Sequence, residues 1–171
     1  KIRETRYNID RGIIVQFSIC VIAKNAEKTL PRLIKSVEHL MKQGLEFNVL
    51  DTGSTDATVQ IAKSFGCRVL EVGDKFITVV TQELADKINA IVEPNDKPLV
   101  QVGDKSFHFG DARNAVAEFS TTDFIFQIDA DEVFTHLDIN LIEHIISQGY
   151  NKCDYTYVYN HYDNGLPCIK Q

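Results

Sequence analysis

Residues 17–23, FSICVIA, form an apolar run broken only by Ser18, and Leu30, Leu33, Ile34, Val37, Leu40 and Met41 follow at helical spacing. A short apolar run without alternation suits a strand covered on both faces, and the 3.6-residue period predicts an amphipathic helix. Pro31 falls in the first turn of that helix, where its missing N–H costs little, and Gly44 closes it before a second apolar run, FNVL at 47–50. Val59, Ala62 and Phe65 predict a second, short helix ended by Gly66, and CRVLEV at 67–72 a third strand. Strand and helix repeated in this order admit few topologies. The expected fold is α/β, a Rossmann-type, mostly parallel sheet flanked by helices with right-handed crossovers.

Residues 73–106 break the rhythm. They hold a candidate strand, FITVV at 76–80, then a helix with Leu84, Ala85, Ile88, Ile91 and Val92 on one face, a polar EPNDKP turn and a short LVQV. The segment reads as an insertion. DARNAVAEF at 111–119 resumes as a helix capped by Asp111, and FIFQI at 124–128 as a central, buried strand. Leu141, Ile142, Ile145 and Ile146 predict a helix capped by Asp138, and YTYVY at 155–159 a last strand.

With 171 residues and 44% hydrophobic content, the chain can bury one core, so a single domain over 1–171 is expected. A formal charge of −6 argues against a broad nucleic-acid surface, which needs a basic stripe. The longest apolar stretch, IIVQFSICVIA at 13–23, is too short to span a bilayer, so no transmembrane segment is expected. The charged start, KIRETRYNIDRG, does not read as a signal peptide. Cys20, Cys67, Cys153 and Cys168 show neither CxxC pairing nor a companion His at zinc-ligand spacing. They read as reduced thiols in a cytoplasmic protein.

Three polar clusters each follow a predicted strand: AKN at 23–25, DTGSTD at 51–56 and DADE at 129–132. In open α/β sheets, ligands bind beyond the carboxyl ends of the strands. Each cluster alone has a structural explanation, with Asn25 and Asp56 as helix caps, Gly53 in a turn and Asp129 at a solvated strand end. Their common position at strand ends points to one ligand site. Asp129, Asp131 and Glu132 bring three repelling carboxylates into four residues. A hard divalent cation, Mg²⁺ or Mn²⁺, would compensate them and bridge to an anionic diphosphate, which an otherwise acidic chain is poorly equipped to hold.

VIAKN, VLDTGSTDAT, GDARNAV and IDADE, in this order, resemble the donor-binding half of the family 2 glycosyltransferases with the GT-A fold, over roughly residues 17–147. The resemblance implies that Ala23 and Asp51 meet the nucleotide base and ribose. It places Asp129 near the ribose or the metal, Ala130 between the two aspartates of the DxD motif, and Asp131 on the metal itself. Arg113 is implied to meet the nucleotide or its diphosphate, the structural alternative being a surface ion pair with Asp111 or Glu118. Lys24, Asn25, Ser54 and Asp56 are further donor-site candidates, and Glu132 solvates the strand end or holds a ligand water. The implied reaction is metal-dependent transfer of a sugar from a nucleotide diphosphate, UDP being the commonest in the family, with inversion at the anomeric carbon. The acceptor would be a glycan, a peptide or a lipid-linked group.

No catalytic base is assigned. Family members carry it tens of residues beyond the DxD strand, so the expectation is a C-terminally truncated domain whose base lies beyond residue 171. His161 and Asp163 read as parts of a polar turn. The insertion is a candidate acceptor flap or homo-oligomer surface. Two alternatives stay open on the residues. IDADEV also fits a haloacid-dehalogenase-like phosphatase with Asp129 as nucleophile and Asp131 as acid, although that reading leaves DTGSTD unexplained. The other is a nucleotide-sugar-binding module without catalysis.

Overall fold

The computed structural model describes residues 17–91, 97–152, 158–161 and 167–169. The chain divides into two compact units, Gln16–His136 and a second that takes in Leu137–Gln171. In the first unit the elements run β1 (Phe17–Ala23), α1 (Leu30–Met41), β2 (Glu46–Asp51), α2 (Thr58–Ser64) and β3 (Arg68–Glu71). They continue through β4 (Ile77–Val79), α3 (Gln82–Asn89), β5 (Lys105–Phe107), α4 (Phe109–Phe119) and β6 (Phe124–Asp129). The second unit contributes α5 (Ile139–Ser147) and an antiparallel pair, β7 (Val158–His161) and β8 (Pro167–Ile169). YTYVY falls partly outside the described residues, and only its end enters β7.

Four parallel strands in the order β3-β2-β1-β6 make the main sheet. The chain steps from β1 to β2 to β3 in one direction, then returns past β1 to lay down β6 on the other side. Right-handed crossovers put α1 and α2 on one face and α4 on the opposite one. Residue packing follows the pleat. Cys20 and Leu50 form a cluster with Ala112 and Val116 of α4, joined by Ile22 and Leu70. The alternate residues Ile19, Val21, Phe47 and Val49 are fully or nearly fully buried on the other face, as is the α1 stripe Leu30, Leu33, Ile34 and Val37. The mostly parallel α/β sheet expected from the two periodicities is the observed fold.

The residues at 73–106 pack onto that sheet. β4 pairs antiparallel with β5, with Ile77 opposite Phe107, and the His108 N–H donates to the Phe76 carbonyl at 2.8 Å. Phe76 and Phe107 both reach the α4-side cluster. Asn89, at the end of α3, pins the returning chain: its Oδ1 accepts from the Leu99 and Val100 N–H groups and its Nδ2 donates to the Val100 carbonyl. Ala85 is buried, whereas Ile91 is largely exposed.

The amino-terminal end of the sheet is tied by charge. Glu46, at the start of β2, meets Arg68 at 2.9 Å, accepts from the Thr121 N–H and hydroxyl, and accepts from Asn48 Nδ2. Arg68 also donates to the Phe119 carbonyl and lies over the Phe119 ring. Burial pushes the Glu46 carboxyl up, but the Thr121 and Asn48 hydrogen bonds and the Arg68 charge outweigh it, holding the pKa at about 2. Cys20 and Cys67 are buried free thiols, and desolvation raises both, Cys67 to about 12.

Two local expectations are corrected. Asp111 does not cap its helix: α4 begins at Phe109, with His108 at the cap position, and Asp111 lies in the first turn. The Phe109-Gly110 step adopts helical geometry ahead of the DARN run, so the first turn starts earlier than the capping signal suggests. β6 is an edge strand among the described residues, not a central one. Its apolar run is covered on one face only: Phe126 packs edge-on against Phe17 and Phe134, while Ile125 and Asp129 on the other face are exposed. The LVQV stretch is held by side chains: Asn89 accepts from the Leu99 and Val100 N–H groups, and the Gln101 N–H donates to Asp104. Asp138 does cap α5, accepting from the Leu141 N–H at 3.0 Å.

Candidate donor site

A parallel sheet that reverses direction opens a crevice where the two crossovers part, at the carboxyl ends of the strands on either side. Here that point lies between β1 and β6. The register aligns Ile22 with Asp129 and Ala23 with Asp51, so the ends of β1, β2 and β6 share one edge of the sheet. Asp51 and Asp129 are two strands apart, about 10 Å at the usual strand spacing. By the pleat, Asp51 shares the α1 face with Ala23, and Asp129 shares the α4 face with Ile22.

The loops after β1 and β2 are bound to each other. Asn25 has a left-handed backbone, φ 51°, and its N–H donates to Ser54 Oγ at 2.9 Å. The Thr55 N–H donates to Asn25 Oδ1 at 2.8 Å. Asp56 accepts from the Thr58 N–H through one oxygen and from the Glu27 N–H through the other. Glu27 answers by accepting from the Ala57 N–H, and the Ala26 N–H donates to Thr58 Oγ1 at 2.7 Å. Desolvation raises the Asp56 carboxyl, but these donors outweigh it and hold it below its ordinary value. Asn25 does not cap α1, whose cap position is Thr29. Asn25, Ser54 and Asp56 therefore serve as cross-ties between two loops, with Glu27 and Thr58 as partners that the motif reading missed.

Asp51 is buried at 4% exposure and folds its carboxylate back onto the Gly53 and Ser54 N–H groups. This turn needs Gly53, which has φ 87° and whose missing Cβ would sit 3.5 Å from the Gly73 backbone. Ala23 is buried, and its carbonyl accepts from the Thr52 N–H and hydroxyl. Lys24 is exposed, with its Nζ 3.9 Å from Asp74 in the turn after β3.

On the opposite face, α4 brings Arg113 to the end of β6. Its guanidinium is 3.5 Å from Asp129 Oδ1, while Gln127 Nε2 donates to the Arg113 carbonyl at 2.9 Å and fixes the helix against the strand. The alternative partners do not hold it: Asp111 pairs with His108 Nδ1 at 3.6 Å. Glu132 closes the strand end, accepting from the Asp129 N–H at 2.9 Å and donating its own N–H to the Asp129 carbonyl. Ala130 is half-buried and Asp131 exposed in the turn between them.

Among the described residues, no three His, Cys, Asp or Glu side chains form a ready metal cage. Asp129 and Asp131 nonetheless offer the two carboxylates that a Mg²⁺ or Mn²⁺ ion uses when substrate phosphates and water supply its remaining ligands. The donor set fits a cation that arrives with a diphosphate and not one held by protein alone.

Residues 18–92 match the sequence model described as glycosyl transferase family 2. Over that segment the chain is similar to the family 2 glycosyltransferases. That segment spans AKN and DTGSTD, the second of which a phosphatase reading leaves without a role, and ends before Arg113 and DADE. No curated protein matches the chain significantly. Among solved structures, S. aureus TarS residues 1–349 in complex with UDP superimposes with TM-score 0.53 and 18% identity, over 78% of this chain and 32% of that one. Full S. aureus TarS gives TM-score 0.52 and 19% identity over 78% of this chain and 20% of that one. M. tuberculosis glucosyl-3-phosphoglycerate synthase aligns with 80% of this chain and 41% of its own length at 21% identity and TM-score 0.45. The matched segment thus sits in a GT-A-type α/β fold, in a chain spanning about a third or less of the TarS structures it matches.

Proposed function

We propose that the chain is the donor-binding domain of a glycosyltransferase, moving a sugar from a nucleotide diphosphate, most simply a UDP-sugar, to a glycan, peptide or lipid-linked acceptor. The observation that carries this reading is the Arg113–Asp129 contact at the switch between β1 and β6, in a chain whose first half matches family 2. The nucleoside lies over the ends of β1 and β2, by Ala23, Lys24 and Asp51, and the diphosphate crosses the end of β1 to reach Arg113 and Asp129. Asn25, Ser54 and Asp56 shape the loops on the nucleoside side. Arg113 offers a planar, permanently charged fork to phosphate oxygens.

A Mn²⁺ or Mg²⁺ ion on Asp131 and Asp129 would neutralise the charge that builds on the departing diphosphate. Transfer inverts the anomeric carbon in this reading, and the base that deprotonates the acceptor is not one of the residues at this edge. UDP bound to a structural relative supports the choice of nucleotide. The unpaired thiols Cys20 and Cys67 fit a cytoplasmic setting, and no described helix is long and apolar enough to cross a membrane.

The test is Arg113→Ala. The side chain is half exposed, so the variant should fold normally and bind UDP with Mn²⁺ about tenfold more weakly by calorimetry, the loss of one charge-assisted contact. Unchanged affinity would remove the diphosphate from this end of the sheet.

A further inference from the structure

We propose that Phe109 is the platform on which the hexose of the donor stacks, an inference that rests on the donor-site reading and adds a specificity-determining residue to it. Phe109 opens α4 at the ligand edge and is 59% exposed, although a large ring in that position gains nothing from water. It is exposed but not loose. Its ring meets Phe107 edge-on, with centroids 4.8 Å apart and planes at 81°, and Phe107 is itself packed against the sheet cluster.

What lies beside it identifies the occupant. The Arg113 guanidinium, one helical turn on, is 5.9 Å from the Phe109 ring centre and 3.5 Å from Asp129. In a sugar nucleotide the hexose is bonded directly to the terminal phosphate, so a diphosphate held by Arg113 carries its sugar to the neighbourhood of this ring. One face of a pyranose is made of C–H bonds with partial positive charge, and the face of an aromatic ring is negative. His108 and Asp111, paired at 3.6 Å, put polar groups on the same helical turn as the ring, and sugar hydroxyls need such partners. An apolar floor with a few polar groups at its edge is the usual construction of a small-molecule site. The residues at 73–106 acquire a role here, because β5 leads straight into His108 and Phe109 and its register with β4 fixes where they begin.

The experiment is calorimetric titration of the wild-type chain and of Phe109→Ala, Phe109→Leu and Phe109→Tyr with UDP, GDP and TDP and their hexose derivatives, all with Mn²⁺. For the nucleotide that the wild type binds, the free diphosphate should keep its affinity within about twofold in every variant. The sugar nucleotide should weaken about five- to tenfold in the Ala and Leu variants and recover in Tyr, which restores a flat ring. Equal weakening of diphosphate and sugar nucleotide would overturn the proposal and make the ring a support for Arg113. Unchanged binding of both would also overturn it, whether the ring then serves an acceptor or nothing. A wild type that binds no nucleotide would overturn the donor-site reading and this inference with it.

Discussion

Glu46 gathers Arg68, Thr121 and Asn48 at the end of the sheet away from the candidate site, and its charge is matched to the folded state alone. Its pKa of about 2 lies below the ordinary 4.5. A depressed carboxyl pKa contributes stability that is fully present above the unfolded value and lost as pH falls toward the folded one. The contribution should therefore fade between about pH 4.5 and 2. Because Arg68 is partly in water, Glu46→Gln should cost about 1–2 kcal/mol at pH 7 and leave a flatter stability curve across that acid window. Urea unfolding at a series of pH values measures both. At this scale the sequence was only half legible. Asp56 and Asn25 were visible as polar residues beside helices, but which backbone groups they satisfy depends on two loops 30 residues apart meeting. Gly53 was readable because a turn demands that residue type, whereas the Asp51 carboxylate folded onto that turn, Glu27 and Gln127 carry no such local mark.

Among the elements, the strands and helices of the first two crossover units follow from periodicity, since each buries a continuous apolar face. The two that were misread, β6 as central and α4 as starting at Asp111, depend on what lies alongside. An apolar run cannot say whether both its neighbours exist, and Phe126 looks as buried in sequence as Phe47. The residues at 73–106 were legible as an interruption, but not as a hairpin, because β5 is three residues long and KSF carries no strand signal. What attaches them is Phe76, 9% exposed in the cluster beneath α4. Phe76→Ala should cost about 3 kcal/mol, as for other large core aromatics. Hydrogen exchange should then quicken at the His108 and Val80 amides, which close the hairpin, before it quickens in β1. Uniform acceleration across the sheet would mean that the hairpin is not a separable layer.

At the scale of the whole molecule, an acidic chain is proposed to hold a highly anionic ligand by assembling its few suitable groups at one sheet edge. The topology supplies the crevice, α4 supplies Arg113, and the strand that follows supplies the carboxylates for a cation. These parts come from segments about 100 residues apart, and only the reversal of strand order after β3 brings them together. The fold class was readable in advance, and so was the position of the three polar clusters at strand ends. The pairing of Arg113 with Asp129 was not, because it depends on α4 and β6 lying on one face. The most direct test is thermal unfolding of the chain with UDP, GDP and TDP sugars, each with and without Mn²⁺, repeated on Asp131→Asn. At one hundred times its dissociation constant, a ligand that binds only the folded chain should stabilise it by about 2.7 kcal/mol. A rise in melting temperature that needs both one nucleotide and Mn²⁺, and disappears in Asp131→Asn, is the predicted result. A melting temperature that no donor raises at saturation, or a rise that Asp131→Asn leaves intact, would contradict the metal-diphosphate account.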